Sequence, residues 1–575
     1  MRLNDGVVRT TIMKQQPDNA STAAFSLADR FSVVIVGGGP SGLTLANLLG
    51  TYGIRTLVLE RNLSTVTEPR AVSIDDESMR TMQAIGLEKS VLACCAQDYG
   101  SVYLDLKRVP FANIEPRGRE YGYSRRNAFH QPELEAILRN GLKRFAHVEA
   151  RFGHRVVEFV QDADCVRLRV ETDKGRYEVV AEYMAAADGG RSFVRSELNI
   201  KLKGLTYEQK WLIIDLKGTQ DNFRQTRVYC DPARPGINLP GPGGSRRFEF
   251  MLLPDEDEQK AVEEEYVRQL MAEHGPDRDA EIVRKQVYAF HAREAESWRQ
   301  QRIFLLGDAA HLTPPFAGQG MNSGLRDSVN LAWKLAWVLK RKLPETLLDS
   351  YEEERKPHAW QLIEMAAMLG KFMMPKSRIH ATLLQTGLRW LSVYRPARDY
   401  VTQMRYKPTP RFVTGFFISD AVSARKTRTG RMIAQPMLEN PNREMALLDR
   451  YIDGHFALIT YHPDAKMAFD AIQPWLKYLP DDLKKVCVTP RNYNPVPVEG
   501  IEVLRDAHSQ ANDWIFRAHA GEHVFYLVRP DRYTMAVLNK DNLPTDAIQL
   551  GEMLRPPEFS ALGHSHQPLS TTATL

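Results

Sequence analysis

The apolar positions of this chain keep two rhythms, and the places where one gives way to the other mark its elements. From Phe31, FSVVIVGGGPSGLTLANLLGTYGIRTLVLE runs from a β-branched strand through a glycine turn into a helix of 3.6-residue period, then into a second strand ending at Glu60. This predicts a βαβ unit. YMAAADGG and RIFLLGDAA repeat the strand-to-glycine step further along, ending at Asp188–Gly189 and Gly307–Asp308. After Pro314 and Pro315, SGLRDSVNLAWKLAWVLKRK has apolar residues at helical spacing, so a helix is expected to start around Gly320–Asn322.

Between residues 200 and 295 the pattern changes to short strands with Gly/Pro turns and one acidic helix, DEDEQKAVEEEYVRQLMAEH. In SRRFEFMLL a period of two places Arg246, Phe248, Phe250 and Leu252 on one face, apolar with a single cation. A second boundary falls near 410. Beyond it FALITYH, KKVCVTP and the pair VFYLVRP/TMAVL predict strands, the last two joined as a hairpin through Arg529–Tyr533.

The division expected is a loose, disordered arm at 1–30 and a Rossmann-like α/β domain in two parts, 31–199 (with a small substrate-side segment at about 100–128) and 296–375. A β-sheet domain at 200–295 is inserted between them. A helical connector at 376–410, a C-terminal domain at 411–557 and a disordered tail at 558–575 follow.

The first turn carries G-x-G-x-x-G at Gly37, Gly39 and Gly42, with Pro40 and Ser41 opening the helix. Such glycines allow the tight turn, the approach of a pyrophosphate and close helix–strand packing, and the helix start offers N–H groups to phosphate. Glu60 is placed to accept from ribose hydroxyls, which favours FAD or NAD over NADP. Asp188, Gly189, Ser192 and Arg195 form D-G-x-x-S-x-x-R. Asp308, at another strand end beside a glycine, can approach a ribityl hydroxyl. The helix start at Gly320–Asn322 would stabilise negative charge on a reduced flavin. Arg246 could grip an aromatic carboxylate, with Phe248 and Phe250 as apolar wall.

Composition narrows the partners. The 575 residues hold 76 basic and 71 acidic side chains, interspersed, for a formal charge of +5, which argues against nucleic acid. No apolar run approaches a membrane span, and five cysteines without a CxxC pair fit a reducing cytoplasm rather than a disulfide or zinc framework. No metal site is expected.

The three cofactor segments, in this order, resemble those of the single-component FAD-dependent aromatic hydroxylases. EPRAVSIDDESMRTMQAIGL, RRNAFHQPELEAIL, RRFEFMLLP and GQGMNSGLRDSVNLAWKLA are most similar to the 3-(3-hydroxyphenyl)propionate hydroxylase and phenol hydroxylase branch. The resemblance implies a p-hydroxybenzoate-hydroxylase-like fold with a thioredoxin-like C-terminal domain in which Cys487 stands alone. It implies that Glu60 and Arg61 contact the adenosine side, Val156 lies near adenine, and Arg70 and Gln131 meet the pyrophosphate or ribityl region. Asp308 would hold the ribityl, while Pro315, Gly318, Gly320, Met321 and Asn322 line the flavin ring; Asp188 and Arg195 would support FAD and nicotinamide approach.

The activity implied is hydroxylation of a small phenolic substrate with NADH or NADPH and O₂, through a flavin C4a-hydroperoxide, in a protein that could be a homodimer. No proton acceptor is singled out: His311, beside Asp308, is a weak candidate, and His130 and His291 are weaker. Other FAD oxidoreductases (halogenase, reductase, oxidase) share the fold. The chain lacks W-x-W-x-I-P, its nearest stretch being WLKYLP, and lacks a reactive cysteine pair. A non-catalytic flavoprotein would bind FAD without substrate-stimulated NAD(P)H oxidation.

Overall fold

A computed structural model describes residues 29–420, 427–519 and 523–555. The arm and tail expected from the sequence lie outside these residues, except that the first strand already begins at Asp29.

Val33–Val36 is apolar on both faces, as suits a strand covered on both sides. Asp29–Val36 accordingly sits inside an eight-stranded sheet, parallel to Thr56–Glu60 on one side and to Gly175–Ala186 on the other. Parallel neighbours need a crossover, and the helix Pro40–Thr51 supplies the first. Val148–Phe152 extends one edge. Ile303–Leu305 extends the other, although more than a hundred residues separate it from its neighbour Gly175–Ala186. Strands on either side of the second sheet's segment therefore share one sheet, which brings the ends of three distant strands side by side.

A second eight-stranded sheet follows the order His311–Leu312, Glu281–Ala295, Leu202–Lys217, Arg246–Met251, Gly236–Pro240, Thr226–Tyr229, Ser101–Leu104, Pro110–Ile114. Its last two strands come from the small segment near 100–128. At its other edge Arg293 and Glu294 pair with Leu312 and His311, tying this sheet to the loop after Ile303–Leu305.

Both faces of Arg246–Met251 are buried, and the helix Glu264–Ala272 covers one of them. Phe248 and Phe250 stack at 5.7 Å on that face, among Leu212, Ile214, Val267 and Met271.

The third sheet has seven strands. Lys484–Thr489 runs parallel between Ala457–Tyr461 and Glu502–Arg505, and the hairpin Phe525–Val528/Thr534–Leu538 adds antiparallel at one side. The hairpin turn points into the rest of the molecule. Arg529 there donates to Glu354 Oε1 and Oε2 at 2.6 and 3.0 Å and also pairs with Asp531. Lys334 Nζ and Asn330 Nδ2 reach Glu354 Oε2 at 2.7 Å each, and Phe416 N reaches Oε1 at 2.8 Å. A second lock joins Arg80 and Arg532 to Asp449 at 2.6–2.9 Å. These side chains are buried, so the C-terminal unit is docked by paired charges removed from water. Among the described residues no helix is long and apolar enough to cross a membrane.

Candidate active site

A cavity of about 970 Å³ runs between the first two sheets, at the upper end of the range for ligand clefts. Its first section is the glycine loop. Gly37 has φ of +111°, and a Cβ there would lie 2.3 Å from Ala187 O; a Cβ on Gly42 would lie 2.1 Å from Gly37 O. Neither position tolerates a side chain. Gly39 has open space instead, and with Pro40 and Ser41 it lines the cavity at the start of the helix Pro40–Thr51. Gly42 packs behind the loop, off the wall.

Glu60 stands at the end of its strand, accepting from Gly38 N at 2.7 Å and from Asn62 N at 2.8 Å. It lines the cavity with Arg61, and Val156 enters from Arg155–Gln161. Gln131 fixes the nearby rim: its Oε1 accepts from Arg70 N at 3.0 Å and Ala71 N at 2.6 Å.

Asp188 and Asp308, each following the end of one of two neighbouring parallel strands, both line the middle section. Asp188 Oδ2 accepts from Val194 N at 3.1 Å, while Oδ1 is buried with no hydrogen-bond partner. Burial raises the pKa of both carboxyls; Ser192 and Val194 oppose the rise at Asp188, His311 and Arg70 at Asp308. Ser192 caps the short helix that follows, and Arg195 ties the two strand ends by donating to Ala309 O and Gly190 O at 2.9 Å each. Arg195 thus positions both aspartates from behind the wall.

Pro315, Gly318, Gly320 and Met321 line the far section, where the twenty-residue helix Gly320–Leu339 directs its N-terminus at the cavity. Asn322 lies behind it. Its Oδ1 accepts from Asp75 N and the Ser78 hydroxyl, and its amide donates to Ser73 O and Gly318 O, stitching the helix start to the 73–78 segment.

Several expectations change. Arg246 does not face the cavity: its guanidinium donates to Asn238 Oδ1 at 2.5 Å, Asp221 O at 2.7 Å and Phe223 O at 2.9 Å, and Phe248 and Phe250 share its buried face. The helix Glu264–Ala272 claims that apolar face, so Arg247 and Glu249 look into the cavity instead. Arg247 is gripped by Asp215 at 2.7 Å and donates to Arg70 O at 2.8 Å, joining the second sheet to the rim.

His311 is fully buried and off the wall. Its Nε2 lies 2.7 Å from Asp327 Oδ2, Arg355 holds the other carboxylate oxygen at 2.9 Å, and Trp298 stacks on the ring at 5.1 Å. It braces the loop that carries Asp308. His130 occupies the position before the helix Gln131–Gly141 without a side-chain capping bond, and His291 meets the Thr206 hydroxyl on the second sheet; neither lines the cavity.

Sequence reasoning missed the walls of the last section. Tyr99, Tyr103, Phe316, Met373, Met404 and Tyr406 make an aromatic and methionine chamber there. Below it Asp75 and Glu77 bind Arg326 and Lys407: Glu77 meets Arg326 Nε at 2.6 Å and Lys407 Nζ at 2.9 Å, and Asp75 meets Lys407 at 3.0 Å. Asp76, between them, is pushed up to about 7, chiefly by burial and against Lys407, with Asp75 and Glu77 adding to the rise. Three consecutive acids at the start of an amphipathic helix, with Asp75 as the N-cap of Asp76–Ala84, were a readable signal. The tyrosines, spread from 99 to 406, gave none.

These residues fit a long dinucleotide. The glycine loop leaves backbone open where a Cβ would fill it, and two polar atoms on the wall, Asp188 Oδ1 and Thr313 Oγ1, are buried without protein partners. Residues 30–366 match the family described as FAD binding domain. The chain is 38% identical over 532 residues to the 3-(3-hydroxy-phenyl)propionate/3-hydroxycinnamic acid hydroxylase of Klebsiella pneumoniae, covering 91% of this chain and 94% of that one.

The chain belongs to the FAD-dependent aromatic hydroxylases.

The hydroxylase of the same name from Burkholderia cenocepacia is 40% identical over 517 residues, covering 88% of this chain and 94% of the relative. A crystal structure of the flavin-dependent monooxygenase PieE with FAD and substrate shares the fold of this hydroxylase at a TM-score of 0.74 and 22% identity, covering 92% of this chain and 99% of PieE. Residues 430–552 match the HcaD C-terminal domain family. FAD is thus the cofactor, and the third sheet is an additional domain of HcaD type.

Proposed function

We propose that this hydroxylase acts on a phenolic ring bearing a short carboxylate side chain, in the manner of 3-(3-hydroxyphenyl)propionate, with NADH or NADPH and O₂ as co-substrates. The observation that carries this reading is the continuity of one cavity from the glycine loop, past Asp188 and Asp308, into a section walled by tyrosine, phenylalanine and methionine side chains. Bound FAD would supply the redox chemistry with NAD(P)H and dioxygen; the chain's part is to hold the ring, exclude water and orient the groups.

In this reading Glu60 and Arg61 serve the adenosine side with Val156 near adenine, and Gly37, Gly39, Pro40 and Ser41 serve the pyrophosphate. Arg70, Gln131, Asp188 and Asp308 take the middle of the cofactor. Pro315, Gly318, Gly320 and Met321 take the flavin ring, with Gly42, Arg195 and Asn322 holding the frame.

The expected division at 199, 295, 375 and 410 is retained as part of the proposal, as is a cytoplasmic location. The C-terminal domain is read as thioredoxin-like on its strand order, and as structural rather than redox-active, because Cys487 is buried and pushed up to about 12 by that burial. A homodimer would cover the exposed Ile379, Leu383, Trp390 and Tyr394 on and beside the helix Arg378–Leu391.

The test is a screen of phenols for stimulated NAD(P)H consumption, with product mass read for a gain of one oxygen. Protein that binds no FAD, or that oxidises NAD(P)H at one rate whatever phenol is added, contradicts the proposal.

A further inference from the structure

We propose that Arg126 is the carboxylate anchor of the aromatic chamber and sets the preference of this enzyme for phenolic acids over neutral phenols. The inference rests on the hydroxylase reading above and names the group that recognises the substrate's charge.

The argument starts from the cations on the cavity wall. Arg61, Arg70, Arg155 and Arg405 are exposed at its rim. Of those further in, Arg125 is held by Glu120 at 2.9 Å, Arg247 by Asp215 at 2.7 Å, and Lys407 by Asp75 and Glu77. Each of these charges is already matched.

Arg126 is different. It donates to the Ser101 hydroxyl and lies over the Tyr99 ring at 4.4 Å, and among the described residues no carboxylate pairs with it. A guanidinium carries five N–H donors and stays protonated in proteins, so most of its hydrogen-bonding capacity is unspent. A partly buried cation on a cavity wall without a counter-charge is a site for an anion, and the planar fork suits a carboxylate in two-pronged contact.

Its surroundings define the rest of the ligand. Tyr99 precedes the strand Ser101–Leu104 and Tyr103 lies on it, and Tyr406, Met373 and Met404 line the same cavity. These surfaces suit an aromatic ring. A ring and one anion, separated by a short apolar spacer, match the free features of the chamber, whereas a simple phenol leaves the guanidinium uncompensated. The role foreseen for Arg246 thus falls to a cation more than a hundred residues earlier, in the stretch RRNAFHQPE.

The experiment uses FAD-loaded full-length enzyme with 3-(3-hydroxyphenyl)propionate and its neutral analogue 3-(3-hydroxyphenyl)propan-1-ol. Binding is read from the change in flavin absorption and turnover from kcat/KM, for wild type, Arg126→Met and Arg126→Lys. The acid-over-alcohol preference should fall by about 10–100-fold in Arg126→Met, the range for a lost charge-assisted hydrogen bond, with the loss in Kd and KM rather than kcat. Arg126→Lys should keep part of the preference, which a general folding defect would not produce. An unchanged preference in Arg126→Met, or equal losses for both compounds in both variants, overturns the assignment while leaving the hydroxylase reading in place. Wild-type enzyme that binds and converts neither compound overturns the substrate class and the anchor together.

Discussion

Glu354 offers the sharpest test of how the C-terminal domain is held. Its carboxylate accepts two hydrogen bonds from Arg529 and one each from Lys334, Asn330 and Phe416 N, all at 2.6–3.0 Å. Glu354→Gln keeps the shape and removes one negative charge from a buried group of two cations and two anions. Breaking such a buried pair costs about 3–5 kcal/mol, because the stranded cations cannot recover water. Lys334 adds to this. Burial lowers its pKa to about 8 even with Glu354 and Asp531 pulling the other way, so without Glu354 the ammonium is further disfavoured.

The assay is urea unfolding followed by tryptophan emission and by release of FAD. Trp333 reports on the interface because it contacts Phe416 and Phe456. Both signals should move to lower denaturant in Glu354→Gln, and FAD should leave with the first loss of tryptophan signal, since residues 404–410 line its cavity. The gap should narrow in acid. Arg529 and Lys334 outweigh desolvation and hold the Glu354 carboxyl down to about 2, below its ordinary 4.5, so its stabilisation is full above 4.5 and fades as pH falls towards 2. A variant within about 0.5 kcal/mol of wild type at pH 7 would refute the reasoning, as that is the scale of an ordinary surface change.

Gly42→Ala places a Cβ 2.1 Å from Gly37 O and should yield protein with less than about a tenth of its FAD, read by absorbance at purification. His311→Gln should lower stability by about 1–3 kcal/mol through the loss of its bond to Asp327, without moving the pH profile of turnover; a shifted profile would restore His311 as a proton carrier. For Asp76 the folded pKa of about 7 lies above the ordinary 3.8, so the stability its proton lends is complete below 3.8 and is lost as pH rises through 7. Asp76→Asn should therefore gain on wild type in thermal midpoint from pH 5 to pH 8, and a constant difference across that range would contradict the shift.

The glycine-loop and aspartate sections of the cavity wall could be read from the sequence because their signals are local. Three strand ends, each followed by glycine or aspartate, announce themselves by the apolar run before them, and the sheet then brings them together. The substrate half could not be read in the same way. A period of two shows that Arg246, Phe248 and Phe250 share a face, but the face a strand turns to a cavity depends on what covers the other side, here the helix Glu264–Ala272. His311 misled for a related reason: its neighbour in sequence is Asp308, but its partner in space is Asp327. The buried charge groups around Glu354 and Asp449 join positions up to 369 residues apart, and no spacing in the chain announces them.

The placement of Ile303–Leu305 beside Gly175–Ala186 has a consequence for biosynthesis. As the chain leaves the ribosome, the glycine loop at Gly37–Gly42 appears early, but the strand that presents Asp308 emerges only after every strand of the second sheet except His311–Leu312, and Lys407 emerges later still. The cavity is therefore completed only late in the life of the nascent polypeptide, and chains arrested before residue 303 expose a half-built sheet edge.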